Sequence, residues 1–186
     1  MKIKELSIPG LVVFKPQVYK DDRGSFTETF NEKIYEEVIG KQTFVQDNHS
    51  FSTLGVLRGM HFQVNNPQGK LVRCTRGEVF DVAVDLREGS PTFGQWEGVI
   101  LSGCNNKQLW IPPGFAHGFV VTSYEANFEY KCTNYYDPAS ERSLLWNDPT
   151  VNIDWGFDMI FNDENFVPII SEKDAQAKTL KELMGS

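Results

Sequence analysis

Histidine and cysteine are scarce in this chain, with three of each among 186 residues. Cys74, Cys104 and Cys132 form an odd, widely spaced set with no C-x-x-C pair. That argues against a disulfide framework and a structural zinc site, and it leaves buried free thiols as the reading. Positive charge is in the minority: 18 basic against 25 acidic side chains give a net charge of −7, which repels nucleic acid and anionic membrane. Neither is an expected partner, and an anionic ligand needs a local cationic cluster. Long hydrophobic runs are missing as well. The opening "MKIKELSIPGLVVF" is polar and mixed in charge, without a signal-peptide core, and no later run reaches membrane-spanning length. The reading is a soluble, cytoplasmic protein. There is no G-x-G-x-x-G, G-x-x-x-x-G-K-[ST], G-x-S-x-G or H-E-x-x-H, so no cofactor is expected.

What the chain does have is strand pattern. Short alternating runs bounded by Gly, Pro, Asn and Asp recur to about residue 137. In "EVFDVAVDL" Phe80, Val82, Val84 and Leu86 alternate with Val79, Asp81, Ala83 and Asp85. Further candidates are "GLVVFKP", "SFTETF", "KLVRCTR", "WEGVIL", "QLWIP", "GFAHGFVV" and "NFEYKCTNYY", separated by turn segments such as "NNPQG", "REGSPTFG", "SGCNN" and "PPG". Many strands and few helices predict a closed or double-sheet all-β architecture, a jelly roll or barrel, because open edges aggregate. Helix is predicted in "EKIYEEVIG", ended by Gly40, and over "SEKDAQAKTLKELM", where Ser171 and Asp174 resemble a capping box. With no repeat, low-complexity segment or linker, residues 1–186 read as one domain.

Several polar residues sit inside these apolar runs. On a flat strand Arg58 and His61 of "VLRGMHFQ" face opposite sides of the sheet; a bulge at Gly59 brings both to one side. Lys70 opens the next strand, His117 shares a face with Phe115 and Phe119, and Tyr130 shares one with Phe128, Cys132 and Tyr136. Each has an ordinary explanation on its own: a lysine reaching for water, a hydrogen-bonded core histidine, a packed aromatic stripe. Together, in one small β domain, they point to a site.

The segments "DDRGSFTETF", "FVQDNHS", "GVLRGMHFQ", "QGKLVRCTRGEVFDVAVDLREGSPTFGQW", "LWIPPGFAHGFVV", "YKCTNYYDPASE", "WNDP" and "SEKDA", in this order, closely resemble the dTDP-4-dehydrorhamnose 3,5-epimerase family. The resemblance implies a cupin-type jelly-roll β-barrel with a few short peripheral helices and a C-terminal helix. It also implies a cofactor-independent isomerase that inverts C3 and C5 of dTDP-4-dehydro-6-deoxy-D-glucose in dTDP-L-rhamnose biosynthesis. It assigns His61 as the base oriented by Asp174, Lys70 as the cation at the C4 oxygen, and Tyr130 as the acid on the opposite face. Arg23, Arg58 and His117 are implied at the diphosphate and sugar, and Phe26, Glu28, Gln46, Asp47, Asn48, Glu141 and Lys173 as further substrate contacts. Tyr136 matches the aromatic that stacks on thymine. A homodimer with exchanged N-terminal strands is implied, so that Arg23 and Glu28 serve the neighbouring pocket. After "IDW" the chain departs from the family, with Gly156 and "FDMIFNDENF" in place of proline, on the approach to Asp174.

Carbon acidity next to a ketone asks for this inventory and for no metal: a base, a donor at the carbonyl oxygen, and an acid. Metal-dependent cupins such as dioxygenases collect three histidines and a glutamate, the first two histidines spaced H-x-H. Here His61 is followed by Phe62 and Gln63, and His49 and His117 lie in other segments. Two rival functions are compatible with the same residues. One is a single-carbon epimerase or 3,4-ketoisomerase acting on a related dTDP-4-keto sugar, and the second is a non-catalytic sugar-nucleotide binding module.

Overall fold

The computed structural model of the chain describes residues 1–163 and 166–185. Two antiparallel sheets face each other. The first has six strands, in the order β1 (Lys2–Glu5), β2 (Val12–Lys15), β10 (Gln108–Ile111), β7 (Lys70–Arg76), β12 (Glu125–Cys132) and β5 (Gln46–Thr53). The second has five: β13 (Glu141–Ser143), β6 (Leu57–Gln63), β11 (Phe115–Val121), β8 (Glu78–Asp85) and β9 (Trp96–Ser102). A separate hairpin pairs β3 (Val18–Asp21) with β4 (Gly24–Thr27). This is the jelly-roll arrangement expected of a cupin-type domain.

Strand alternation sorts the core into layers. Val72 and Cys74 of β7, Val79 and Ala83 of β8, Phe119 of β11 and Phe128 of β12 meet between the sheets. The other faces are covered too. Val82 and Val84 of β8 and Ala116 and Val120 of β11 pack under Leu144, Val151, Ile153, Trp155 and Leu180 from the last third of the chain. This layer buries β11 along its whole length. Helix α1 (Glu32–Ile39) ends at Gly40 and lays Tyr35 on Phe14, rings stacked 4.4 Å apart, against the outside of the six-stranded sheet. No helix among the described residues is long and apolar enough to cross a membrane.

Three expectations need correction. Cys74 and Cys132 are buried thiols as expected, but Cys104 is exposed, in the turn after β9. The sequence 171–184 is not one helix. Helix α3 (Glu172–Ala175) and helix α4 (Leu180–Leu183) are single turns separated by a stretch in which Lys178 bridges to Leu144. Ser171 accepts from the Asp174 amide, but the Asp174 carboxylate turns away to His61, so the reciprocal half of a capping box is missing. The complete capping box lies at Thr179 and Glu182. The divergent stretch after "IDW" forms the short helix α2 (Phe157–Phe161); Glu164 and Asn165 of that stretch lie outside the described residues.

Candidate active site

The bulge expected at Gly59 governs the site. Arg58 pairs with Phe119 and His61 with His117, so three steps along β6 match two along β11. One extra residue restores parity, and Arg58 and His61 share the inward face. Glycine is required on both strands here. Gly59 has φ 135°, and a Cβ on it would lie 2.6 Å from Gly118 Cα.

Beside this bulge, at one end of the sandwich, a cleft of about 730 Å³ opens between the sheets. Its walls carry Gln46, Asn48, His61, Lys70, Tyr130, Tyr136 and Glu141, from both sheets and the loop after β12. His61 Nε2 lies 2.7 Å from Asp174 Oδ1, and Asp174 also accepts from the Gly59 amide at 3.3 Å. Burial opposes charge on Asp174, but the hydrogen bond and charge of His61, helped by Gly59 and Ser171, outweigh it and lower its pKa. An ionised carboxylate only accepts, so His61 carries its proton on Nε2 and Nδ1 is left able to take one.

Lys70 is buried, which lowers the pKa of its ammonium, while Cys132, Asp81 and Glu141 pull it back up. Its Nζ lies 6.0 Å from the centre of the Tyr130 ring. Burial raises the Tyr130 phenol, with Cys132 and Glu141 adding to the effect and Arg58 opposing it, so Tyr130 keeps its proton. At the rim Tyr136 donates to Glu141 at 2.9 Å, and Lys173 pairs with the same carboxylate.

The remaining expected site residues lie outside this wall. Arg58 donates to Ser52 at 3.0 Å and to the Phe51 carbonyl at 3.5 Å, within electrostatic reach of Tyr130. His117 is buried behind the wall, stacked on Phe128 and 2.8 Å from Asp81 Oδ2. Asp47 has the opposite parity to Gln46 and Asn48, and pairs with Lys131 at 3.0 Å on the outer face. A second cleft of about 640 Å³ opens on that face, but its charges pair with one another, as Arg73 does with Glu129. The inner cleft, with a base, a cation and a phenol together, is the better candidate for chemistry. Arg23, Phe26 and Glu28 lie on or just after the β3–β4 hairpin and are not brought to the cleft of their own chain; Arg23 pairs locally with Asp21. Among the described residues no group of three or more His, Cys, Asp or Glu is placed to hold a metal ion.

A family model described as dTDP-4-dehydrorhamnose 3,5-epimerase matches residues 5–182. The chain belongs to that family. It is 55% identical over 179 residues to the dTDP-4-dehydrorhamnose 3,5-epimerase of Pseudomonas aeruginosa, covering 96% of this chain and 95% of the relative. Among solved structures, it superposes with a TM-score of 0.90 and 53% identity on a dTDP-6-deoxy-D-glucose-3,5-epimerase of Legionella pneumophila in complex with dTDP-4-keto-L-rhamnose, covering 97% and 93% of the two chains. It also resembles a 3'-monoepimerase of Streptomyces bikiniensis in complex with dTDP-quinovose, at TM-score 0.87 and 33% identity over 97% and 89%.

Within this epimerase family frame, sequence reasoning left out Asp81. Its signal was present: Asp81 alternates with Val79 and Ala83, which places a carboxylate on the face that fills the core.

Proposed function

We propose that the chain converts dTDP-4-dehydro-6-deoxy-D-glucose to dTDP-4-dehydro-L-rhamnose, as an isomerase supplying dTDP-L-rhamnose. In this reading His61 removes the hydrogen on a carbon next to the C4 ketone, and the electron pair passes to the carbonyl oxygen. Lys70 stabilises that enolate oxygen, and Tyr130 returns a proton to the other face of the carbon. Repeating the step at the second carbon completes the double inversion. The observation that carries the reading is the opening of His61, backed by Asp174, onto one cleft with Lys70 and Tyr130. Gln46, Asn48 and Tyr136 then receive the nucleoside, with Tyr136 stacked on thymine. Arg58 and His117 serve the diphosphate and sugar, and Glu141 and Lys173 hold the rim.

The enzyme works as a homodimer in which the β3–β4 hairpin reaches over the neighbouring cleft with Arg23, Phe26 and Glu28. The protruding hairpin, with Tyr19 and Phe26 largely exposed, supports this arrangement. Three free cysteines suit a cytoplasmic enzyme.

Turnover of dTDP-4-dehydro-6-deoxy-D-glucose in heavy water, with deuterium read at each carbon, tests the function. Label at both C3 and C5 is the expected result. Label at one carbon favours the single-carbon epimerase, the reading that likeness to the Streptomyces bikiniensis monoepimerase supports. His61→Ala should exchange at neither carbon, and normal exchange in that variant sinks the assignment. Tyr130→Phe should slow complete epimerisation more than first exchange.

A further inference from the structure

Asp81 lies on the inward face of β8, fully buried, and is an acidic residue that the cleft chemistry leaves unused. Its Oδ2 is 2.8 Å from His117 Nε2, while its Oδ1 has no hydrogen-bond partner among the described residues. A buried carboxylate oxygen without a partner is costly unless a cation faces it. Across the sandwich, Lys70 projects inward from β7, and no hydrogen bond or ion pair engages its Nζ among the described residues. Within electrostatic reach of that ammonium or on the same cleft wall are Cys132 and Tyr130 from β12, Glu141 from β13, His61 from β6, His117 from β11 and Asp81 from β8. Two of them are carboxylates. Glu141 is already held at the rim by Lys173 and Tyr136, which leaves Asp81 as the counter-charge from inside.

We propose that Asp81 is a positioning residue of the epimerase site: anchored by His117, its carboxylate holds Lys70 as an ammonium aimed into the cleft. The inference rests on the enolate-stabilising role proposed above for Lys70. Burial alone drives both groups toward their neutral forms, and each opposes that drift in the other. A neutral Lys70 still donates a hydrogen bond, but it offers no full charge to a developing enolate. Asp81 therefore acts on the reaction through Lys70 without touching substrate.

Asp81→Asn tests this, because it keeps the size and an acceptor for His117 while removing the charge. Without the carboxylate Lys70 gives up its proton more readily, so the alkaline limb of kcat should move to lower pH by about one unit or more. A limb that does not move overturns the inference, since a purely structural role lowers activity at every pH alike. Should Asp81→Asn fail to fold, a carboxyl carbon-13 titration of the wild-type enzyme decides. Asp81 ionised throughout the active pH range supports the inference, and Asp81 protonated there overturns it. Lys70→Met separates the two layers. If that variant turns over normally, the role of Lys70 itself fails; if it is disabled while the Asp81→Asn limb stays in place, only the inference fails.

Discussion

Asp174 joins two parts of the molecule that are far apart in sequence, because its carboxylate sits 113 residues from the histidine it orients. Asp174→Asn keeps the shape, but an amide can turn its NH₂ toward His61 and favour the wrong tautomer. The expected result is a fall in kcat of about two to four orders of magnitude with little change in dTDP affinity, read by steady-state kinetics and calorimetry. At this scale the sequence was legible wherever local spacing carried the information. Two residues on one strand with a glycine between them, Arg58 and His61, announced the bulge that the β6–β11 register contains. It was silent where the partner comes from another sheet or segment. Nothing in "EVFDVAVDL" says that Asp81 meets His117, and alternation along β5 turns Asp47 away from Gln46 and Asn48 without naming Lys131 as its partner.

Between elements, β6 and β11 approach each other closely at Gly59 and Gly118. A methyl group on Gly118 would lie 2.6 Å from Met60 Sδ and 2.7 Å from the Arg58 carbonyl. Gly118→Ala should therefore destabilise the fold by about 1–3 kcal/mol in denaturant titrations, and it should depress activity as Arg58 and His61 are pushed apart. The end of β8 makes a different prediction. Asp85 is fully buried, and burial opposes its charge, but the Arg87 guanidinium and amide and the Ser90 and Thr92 hydroxyls hold its carboxyl well below the usual carboxylate range. Its folded pKa is below the unfolded one, so its stabilisation is complete above about pH 4 and fades as pH falls toward the folded value. Asp85→Asn should lower the melting midpoint at neutral pH and flatten its decline below about pH 4. Strands of the interior were legible because they alternate. The polar edge strands β1, β3 and β13 carry no alternating apolar face, and "QDNHSFST" of β5 reads as loop chemistry. The C-terminal helix was misread because helical composition runs through residues 176–178, where Lys178 is drawn instead into a bridge with Leu144.

The whole molecule leaves exposed what an isolated chain has no reason to expose. The β3–β4 hairpin packs as its own two-stranded sheet, with Tyr19 62% and Phe26 69% exposed, and Arg23 and Glu28 stand on or beside it away from the cleft of their own chain. A two-stranded hairpin alone is marginal in water, so a partner surface is the natural means of holding it. The all-β class followed from strand period alone, but contact between chains leaves no periodic mark, and only the family resemblance raised it. Exchange of the hairpins can be separated from simple association by mixing two disabled variants. If the proposed exchange holds, co-expressed Arg23→Ala and His61→Ala chains give mixed dimers in which one site receives an intact His61 from its own chain and an intact Arg23 from the other. With random pairing half of the dimers are mixed and each has one of its two sites whole, so activity should return to about a quarter of the wild-type rate. If the hairpin serves its own chain, every site in the mixture carries a lesion, and the mixture stays as inactive as its parents.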